Sequence, residues 1–371
     1  MFKVNMKINT SAIQQTARLR SDLRVGRPVL IKNKQNFGLV FAIETLKEDH
    51  TAQIINDYRE KTYLVLSARR AETLNAIPYD GDIARLLLPK NASYDWILAT
   101  ANPALDLEQP FKGPFTTLRI GETQISRSAI NLCKKAQLLP AALVINLSAK
   151  DIKNFNLCEI LSQESDEIIE QETNLSLLEA TSAANLPLKG MANSRIHIFR
   201  DAGGFSEHYA IEFGSPIKNE SLLVRIHCAC FTGDVLGSLK CDCGDQLTNA
   251  MEIISKNGSG MLIYLNQEGR GIGLTNKMRA YELQNQGFDT VEANHRLGFE
   301  DEERDLRIGA QIINMLGFNK IRLLTNNPQK VTSMSALNIT VTERLNLLTE
   351  PTKENTDYLS TKATKSGHII K

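Results

Sequence analysis

At 371 residues the chain exceeds one typical core, and at about 150 residues per domain it predicts roughly two domains. Hydrophobic residues make up 42% and charged residues 23%, and 43 lysines and arginines against 42 acids leave a net charge of +1. This balance excludes wholesale disorder and any global basic field for nucleic acid or an anionic membrane. No apolar run reaches the roughly 18 residues of a bilayer span, and Met1 to Ala12 lacks a signal-peptide core. A cytoplasmic enzyme is expected, with no nucleic-acid or membrane partner.

In chain order, Ser11 to Gly26 shows helical spacing through Ile13, Ala17, Leu19 and Leu23, with Gly26 as its stop. Pro28 to Ile31, Leu39 to Ile43 and Tyr63 to Leu66 read as short strands. Ser126 to Leu139 predicts a helix ending at Pro140, followed by the strand Ala141 to Leu147. The acidic stretch Glu159 to Glu179 reads as a solvated helix face. Thr181 to Gly190 is small and polar and marks the expected boundary, giving domains 1–185 and 186–371. Beyond it, Arg195 to Phe199, Tyr209 to Phe213, Leu222 to His227, Met261 to Leu265 and Ile321 to Leu324 predict strands. Leu247, Ala250, Met251 and Ile254 mark a helix, as do Asn276 to Gln286 and Asp305 to Leu316, the last followed by Gly317. The expected fold class is mixed α/β in two domains, each a sheet with packed helices.

Six cysteines are too few for a secreted disulfide scaffold, and four fall within sixteen positions: Cys228, Cys230, Cys241 and Cys243. Such crowding reads as metal ligation by soft sulfur, which selects zinc or an iron–sulfur cluster. A C-x-C pair on extended backbone sends both sulfurs to one side, so two pairs could converge on one ion. Four thiolates would make a closed structural site; three and a water would leave it catalytic. Spacing leaves these two open. Cys133 and Cys158 read as buried small hydrophobes.

Three further segments carry chemical promise. In Leu265 to Gly287, glycines at 269, 271 and 273 lie between a strand and a helix, with Glu268, Arg270, Asn276, Lys277 and Arg279 among them. In Asp289 to Asp305, acids flank Arg304. In Leu324 to Lys330, a strand end and turn lead to a lysine, a place where open sheets meet ligands.

Together these four segments resemble GTP cyclohydrolase II over about residues 190 to 371, including the tail YLSTKATKSGH. The resemblance implies a catalytic zinc on Cys230, Cys241 and Cys243, which favours the open site, since position 228 is commonly serine in that family. It implies that GTP is the substrate, that magnesium accompanies the triphosphate and that the enzyme is a homodimer. Ring opening would give 2,5-diamino-6-(5-phosphoribosylamino)pyrimidin-4-one, formate and pyrophosphate, the entry to riboflavin synthesis. Tyr281 falls on a tyrosine beside the zinc. The nucleotide contacts would fall on Arg225, Ile226, His227, Cys228, Ala229, Gln246, Glu268, Gly269, Arg270, Thr290, Thr325 and Lys330. Arg304 matches an arginine proposed to attack phosphorus, with Glu302 where the family usually has aspartate. A charged guanidinium is a poor nucleophile, so electrostatic support of the α-phosphate is an equal reading. Ala229 stands where many members carry glutamate. These departures motivate an alternative, a zinc-stabilised nucleotide-binding or regulatory protein without turnover.

Residues 15 to 147 resemble 3,4-dihydroxy-2-butanone 4-phosphate synthase more faintly, through LRVGRPVLI and AINLCKKAQLLPAALVINL. The metal-binding acidic run of that family is replaced by NKQNFGLVFAIE and its R-x-G-H-T-E segment by QISRSAI. The first domain is therefore expected to be degenerate and non-catalytic.

Overall fold

The computed structural model describes residues 10–154, 159–173, 178–191, 193–204, 206–350, 352 and 355. Cys158, His368 and the tail YLSTKATKSGH lie outside the described residues. The chain divides into two units, Met1–Asn174 and Leu175–Lys371. Among the described residues no helix is long and apolar enough to cross a membrane.

The first unit holds strands β1 (Val29–Asn33), β2 (Asn36–Ala42), β3 (Thr62–Ser67), β4 (Ile83–Leu87), β5 (Ala141–Leu147) and β6 (Ser162–Glu164). They form one sheet in the order β4-β3-β5-β2-β1-β6, antiparallel except where β1 pairs with β6. Its central strands are apolar at successive positions because both faces are covered. Val40, Val65 and Val144 face a core with Leu19, Leu23 and Ala129, and Leu39, Leu64 and Leu143 face another with Ile54 and Ile97. The helix Ala12–Arg24 opens on a reciprocal cap: the Ser11 hydroxyl accepts from the Gln14 amide and the Gln14 side chain accepts from the Ser11 amide.

The second unit holds β7 (Leu178–Asn185), β8 (Ser194–Asp201), β9 (Glu207–Phe213), β10 (Leu222–Cys228), β11 (Gly260–Leu265), β12 (Lys320–Leu324) and β13 (Thr340–Leu345). Their order is β13-β12-β10-β11-β9-β8-β7, with β10 parallel to both β11 and β12. The boundary expected at 185/186 is corrected. The division lies at Asn174/Leu175, because the small polar run that reads as a linker is β7, paired antiparallel with β8 from Leu178 to Asn185. The acidic stretch is likewise more than one helix face. It contains β6, the helix Ser165–Thr173 and the start of β7.

In the first unit, Arg70 is 1% exposed and its guanidinium grips Asp106 bidentately at 2.7 and 2.7 Å, with Lys112 Nζ on the same carboxylate at 2.6 Å. Burial pushes the Asp106 carboxyl up, but the Arg70 and Lys112 contacts outweigh it and hold the group below its ordinary 3.8. Removing the carboxylate leaves Arg70 buried and unpaired, so Asp106→Ala should cost about 3–5 kcal/mol. The only tryptophan of the chain, Trp96, donates to the Lys112 carbonyl at 2.9 Å, so its fluorescence during urea unfolding reads this unit. The wild-type contribution should be complete above pH 3.8 and vanish as pH falls through the lower folded value. A midpoint unchanged in the variant would contradict this reading.

Candidate active site

The parallel strands β10, β11 and β12 end at one edge of the second sheet, and a cleft of about 1050 Å³ of empty, partly open space lies there. β10 is the central strand, with β11 on one side and β12 on the other, the topological switch at which open sheets receive ligands. Arg225, His227 and Cys228 of β10 line the cleft, with Glu268, Gly269 and Arg270 beyond β11 and Thr325 and Lys330 beyond β12.

Alternation along β10 decides which side chains reach it. Arg225 donates to Gln246 Oε1 at 2.6 Å and to the Leu324 carbonyl at 3.0 Å, and burial lowers its pKa. Ile226 points the other way, into the core with Val224, Ile263 and Ile308. The expectation that Ile226 contacts a ligand is therefore corrected. Its part is a carbonyl that accepts from Lys330 Nζ at 3.2 Å.

Cys230, Cys241 and Cys243 bring their sulfurs within 4.8 Å of one another, with Cys230 and Cys241 3.6 Å apart. The expected extended C-x-C geometry does not occur at the second pair. Asp242 has φ −99° and ψ 14°, and Cys243 opens the helix Cys243–Lys256. The sulfurs instead converge because the single wide turn Phe231–Val235 packs against that helix start. A Cβ on Gly233 would lie 2.9 Å from Cys241 Sγ and 3.1 Å from Cys230 Sγ, and one on Gly244 would lie 2.4 Å from the Gly233 carbonyl. Glycine is required at both positions. Cys228 lines the cleft but is outside the sulfur group, so among the described residues the donor set is three sulfurs. That set fits a soft divalent ion such as zinc. Cys241, Cys243 and the Lys277 ammonium, 3.1 Å from the sulfur, hold the Cys230 thiol far below its ordinary pKa.

Lys277 also reaches Thr232 Oγ1 and Glu268 Oε1, each at 2.9 Å. Burial opposes its charge, but Glu268 and Cys230 raise its pKa well above the usual value. Glu268 is occupied further by the amides of Phe231 at 2.5 Å and Gly269 at 3.0 Å. It therefore braces the cysteine turn as well as lining the cleft. Gly269 and Arg270 both sit in the left-handed region, with φ 64° and 62°. For arginine this is strained backbone of the kind that collects at functional sites. Tyr281 lines the cleft under the ammonium groups of Lys240 and Lys277, 5.1 and 5.7 Å from its ring centre. Burial pushes its phenol up to about 12.

Gln246, Ala229, Thr290 and Arg304 also line the cleft. Glu302 does not. It holds Arg304 from the side, accepting from Nε at 2.6 Å and from a terminal guanidinium nitrogen. Burial raises the Glu302 pKa, but Arg304 more than offsets this and keeps it below the ordinary carboxylate value. Lys330 is 6% exposed, and burial brings its amine down to about 7. Asn276 and Arg279 bond to each other at 2.7 Å and are not among the residues lining the cleft. Sequence reasoning missed Asp234, which is 3% exposed and accepts from His227, Tyr264 and the Cys230 amide. Its place four residues after Cys230 inside a wide turn gives no pattern to read.

Residues 179–346 match the family model for GTP cyclohydrolase II. A GTP cyclohydrolase-2 from Azospirillum brasilense is 34% identical over 374 residues, covering 98% of this chain and 96% of that protein. The chain belongs to the GTP cyclohydrolase II family. Similarity to a riboflavin biosynthesis protein RibBA from Porphyromonas gingivalis is 41% over 264 residues, spanning 68% of this chain and 64% of that protein. A solved RibBX from A. baumannii, a two-domain 3,4-dihydroxy-2-butanone 4-phosphate synthase, covers 90% of this chain and 99% of that one. Its TM-score is 0.30 at 16% identity, too low to support a structural argument.

For this member of the GTP cyclohydrolase II family, the three-sulfur grouping makes a direct forecast. Cys228→Ser should keep the zinc stoichiometry of the wild type, whereas Cys241→Ser should lose zinc, measured by metal analysis after dialysis. Equal loss from both variants would instead establish a four-sulfur site.

Proposed function

We propose that the chain hydrolyses GTP to 2,5-diamino-6-(5-phosphoribosylamino)pyrimidin-4-one, formate and pyrophosphate, the first step of riboflavin biosynthesis. The observation that carries this reading is a three-sulfur group on the wall of a cleft that also gathers Arg225, Arg270, Arg304 and Lys330. One water opens the imidazole ring, one frees C8 as formate, and one cleaves between the α- and β-phosphates. A single substrate thus needs both water activation at a purine carbon and neutralisation of a polyanion. Zinc held by Cys230, Cys241 and Cys243 would supply the Lewis acidity that makes water nucleophilic near neutral pH.

The chain's own groups do the rest. Tyr281, with its pKa near 12, keeps its proton and acts as a hydrogen-bond donor beside the sulfurs. The cations are placed for phosphate oxygens, arginine as a fork and lysine as a point charge. Because Glu302 is held ionised by Arg304, it is a weak base, and Arg304 stays a charged guanidinium. Arg304 therefore stabilises charge at the α-phosphate by preorganised electrostatics rather than attacking phosphorus. The nucleotide contacts assigned from the sequence, Ile226 excepted, belong to this proposal, with magnesium on the phosphates, a homodimer and a cytoplasmic setting. The first unit is proposed to be non-catalytic. Its missing carboxylates support this, as does a relative of matching length named only for the cyclohydrolase.

Zinc-loaded protein incubated with GTP and magnesium should release formate. Tyr281→Phe should lower that rate by about 10²-fold or more while retaining zinc. Tight GTP binding with no formate from the wild type would favour the nucleotide-binding alternative. Lys330 gives a pH forecast. Its amine is largely neutral above about 7 in the free protein, and a bound polyphosphate restores the charge. Binding of a non-hydrolysable GTP analogue at pH 8 should therefore take up a proton, seen as buffer-dependent calorimetric heat. Lys330→Gln should lose that uptake. Heat independent of buffer in the wild type would contradict the assignment.

A further inference from the structure

Asp234 forms the hub of a buried relay behind the sulfur group. Its Oδ2 accepts from the Tyr264 hydroxyl at 2.8 Å and from the Cys230 amide at 3.0 Å, and its two oxygens lie 3.0 and 3.1 Å from His227 Nε2. The side chains of Asp234 and His227 are each 3% exposed. The Tyr264 ring stacks on the imidazole at 5.5 Å and 25°, a pairing set by the β10–β11 register that places His227 opposite Tyr264. Carboxylate oxygens that already take the Tyr264 and Cys230 donors act here as acceptors, which places the imidazole proton on Nε2. Burial lowers the His227 pKa from 6.5, so the ring is neutral and Nδ1 is a bare lone pair. That Nδ1 is buried and has no partner among the described residues, while His227 lines the cleft. Buried acceptors are rarely left unmatched, and an unpartnered one on a residue that lines the cleft points to a donor from the ligand.

We infer that Asp234 is a positioning residue that fixes His227 as the Nε2–H tautomer, so that Nδ1 accepts a hydrogen bond from an N–H or O–H donor of the bound purine nucleotide. This rests on the GTP reading of the cleft. The device is selective, since a ligand offering another lone pair at that point is repelled.

Asp234→Asn tests it because the Cys230 amide dictates how the new amide sits. That obligate donor keeps the asparagine carbonyl, which turns the NH₂ toward His227 Nε2. An NH₂ facing Nε2 opposes a proton there, so the imidazole proton is expected to shift to Nδ1, converting the acceptor into a donor. In zinc-loaded protein, ¹⁵N NMR of the imidazole should show protonated Nε2 in the wild type and protonated Nδ1 in the variant. KM for GTP should rise at least tenfold, with a smaller change in kcat and unchanged zinc content. Tyr264→Phe, which removes a different donor to Asp234, should leave the tautomer as in the wild type. If Asp234→Asn does not fold, a wild-type titration decides: a non-hydrolysable GTP analogue should shift the Nδ1 resonance and spare Nε2. Protonated Nδ1 in the wild type, an unmoved Nδ1 resonance on saturation, or a reversed tautomer with unaltered KM would each overturn the inference. Absence of formate from wild-type protein would instead overturn the GTP reading, and the nitrogen spectra of the free protein separate the two failures.

Discussion

Three sulfurs are gathered within 4.8 Å of one another, with Cys230 held as a thiolate and Cys241 pushed the other way by it, and the surrounding residues are arranged to balance the Cys230 charge. Lys277 puts its ammonium 3.1 Å from Cys230 Sγ. Glu268 balances that ammonium and, through the Phe231 amide, ties it back to the cysteine turn. Cys243 adds the positive end of a helix dipole, since it begins the helix Cys243–Lys256. Gly233 and Gly244 allow the approach itself. Steric permission and charge balance therefore come from different segments, and neither would suffice alone.

The strand order explains why a cluster of cationic side chains lies next to this group. β10 carries Arg225 and His227 on one face and Val224 and Ile226 on the other. The polar face meets the helix Cys243–Lys256 through Gln246, and the apolar face meets the helix Arg307–Met315, whose Gly309 leaves room for Ile226. Lys330 links the two sides by donating to the Ile226 carbonyl. One short strand thus positions cleft-facing groups on one face and core-packing groups on the other.

Much of this was legible before the fold. Strands buried on both faces, such as β5, announce themselves by near-continuous apolar runs broken only by Asn146, and Ala141 to Leu147 matches to the residue. Gly26 and Gly317, read as helix stops, each sit just past a helix end in the left-handed region, with φ 81° and 82°. β7 was hidden because Leu178–Asn185 is exposed at all positions but the first and owes its conformation to pairing with β8. The cysteines were found by spacing, but their geometry was misjudged because C-x-C here straddles a helix start. Ile226 was drawn in by its neighbours in sequence, although consecutive strand residues face opposite ways. Asp234 and the bracing role of Lys277 depend on contacts across 7 to 47 positions, which no local pattern encodes.

The place of β7 in the second sheet bears on how the protein can be divided. A fragment begun at residue 186, where composition invites a cut, would strip the outermost strand and bare the hydrogen-bonding groups of β8 that β7 now satisfies. It would also remove Leu178 from the apolar cluster it shares with Phe199 and Phe318. Naked sheet margins recruit other chains, so such a fragment should clump, whereas one started at Leu175 keeps β8 paired along its length.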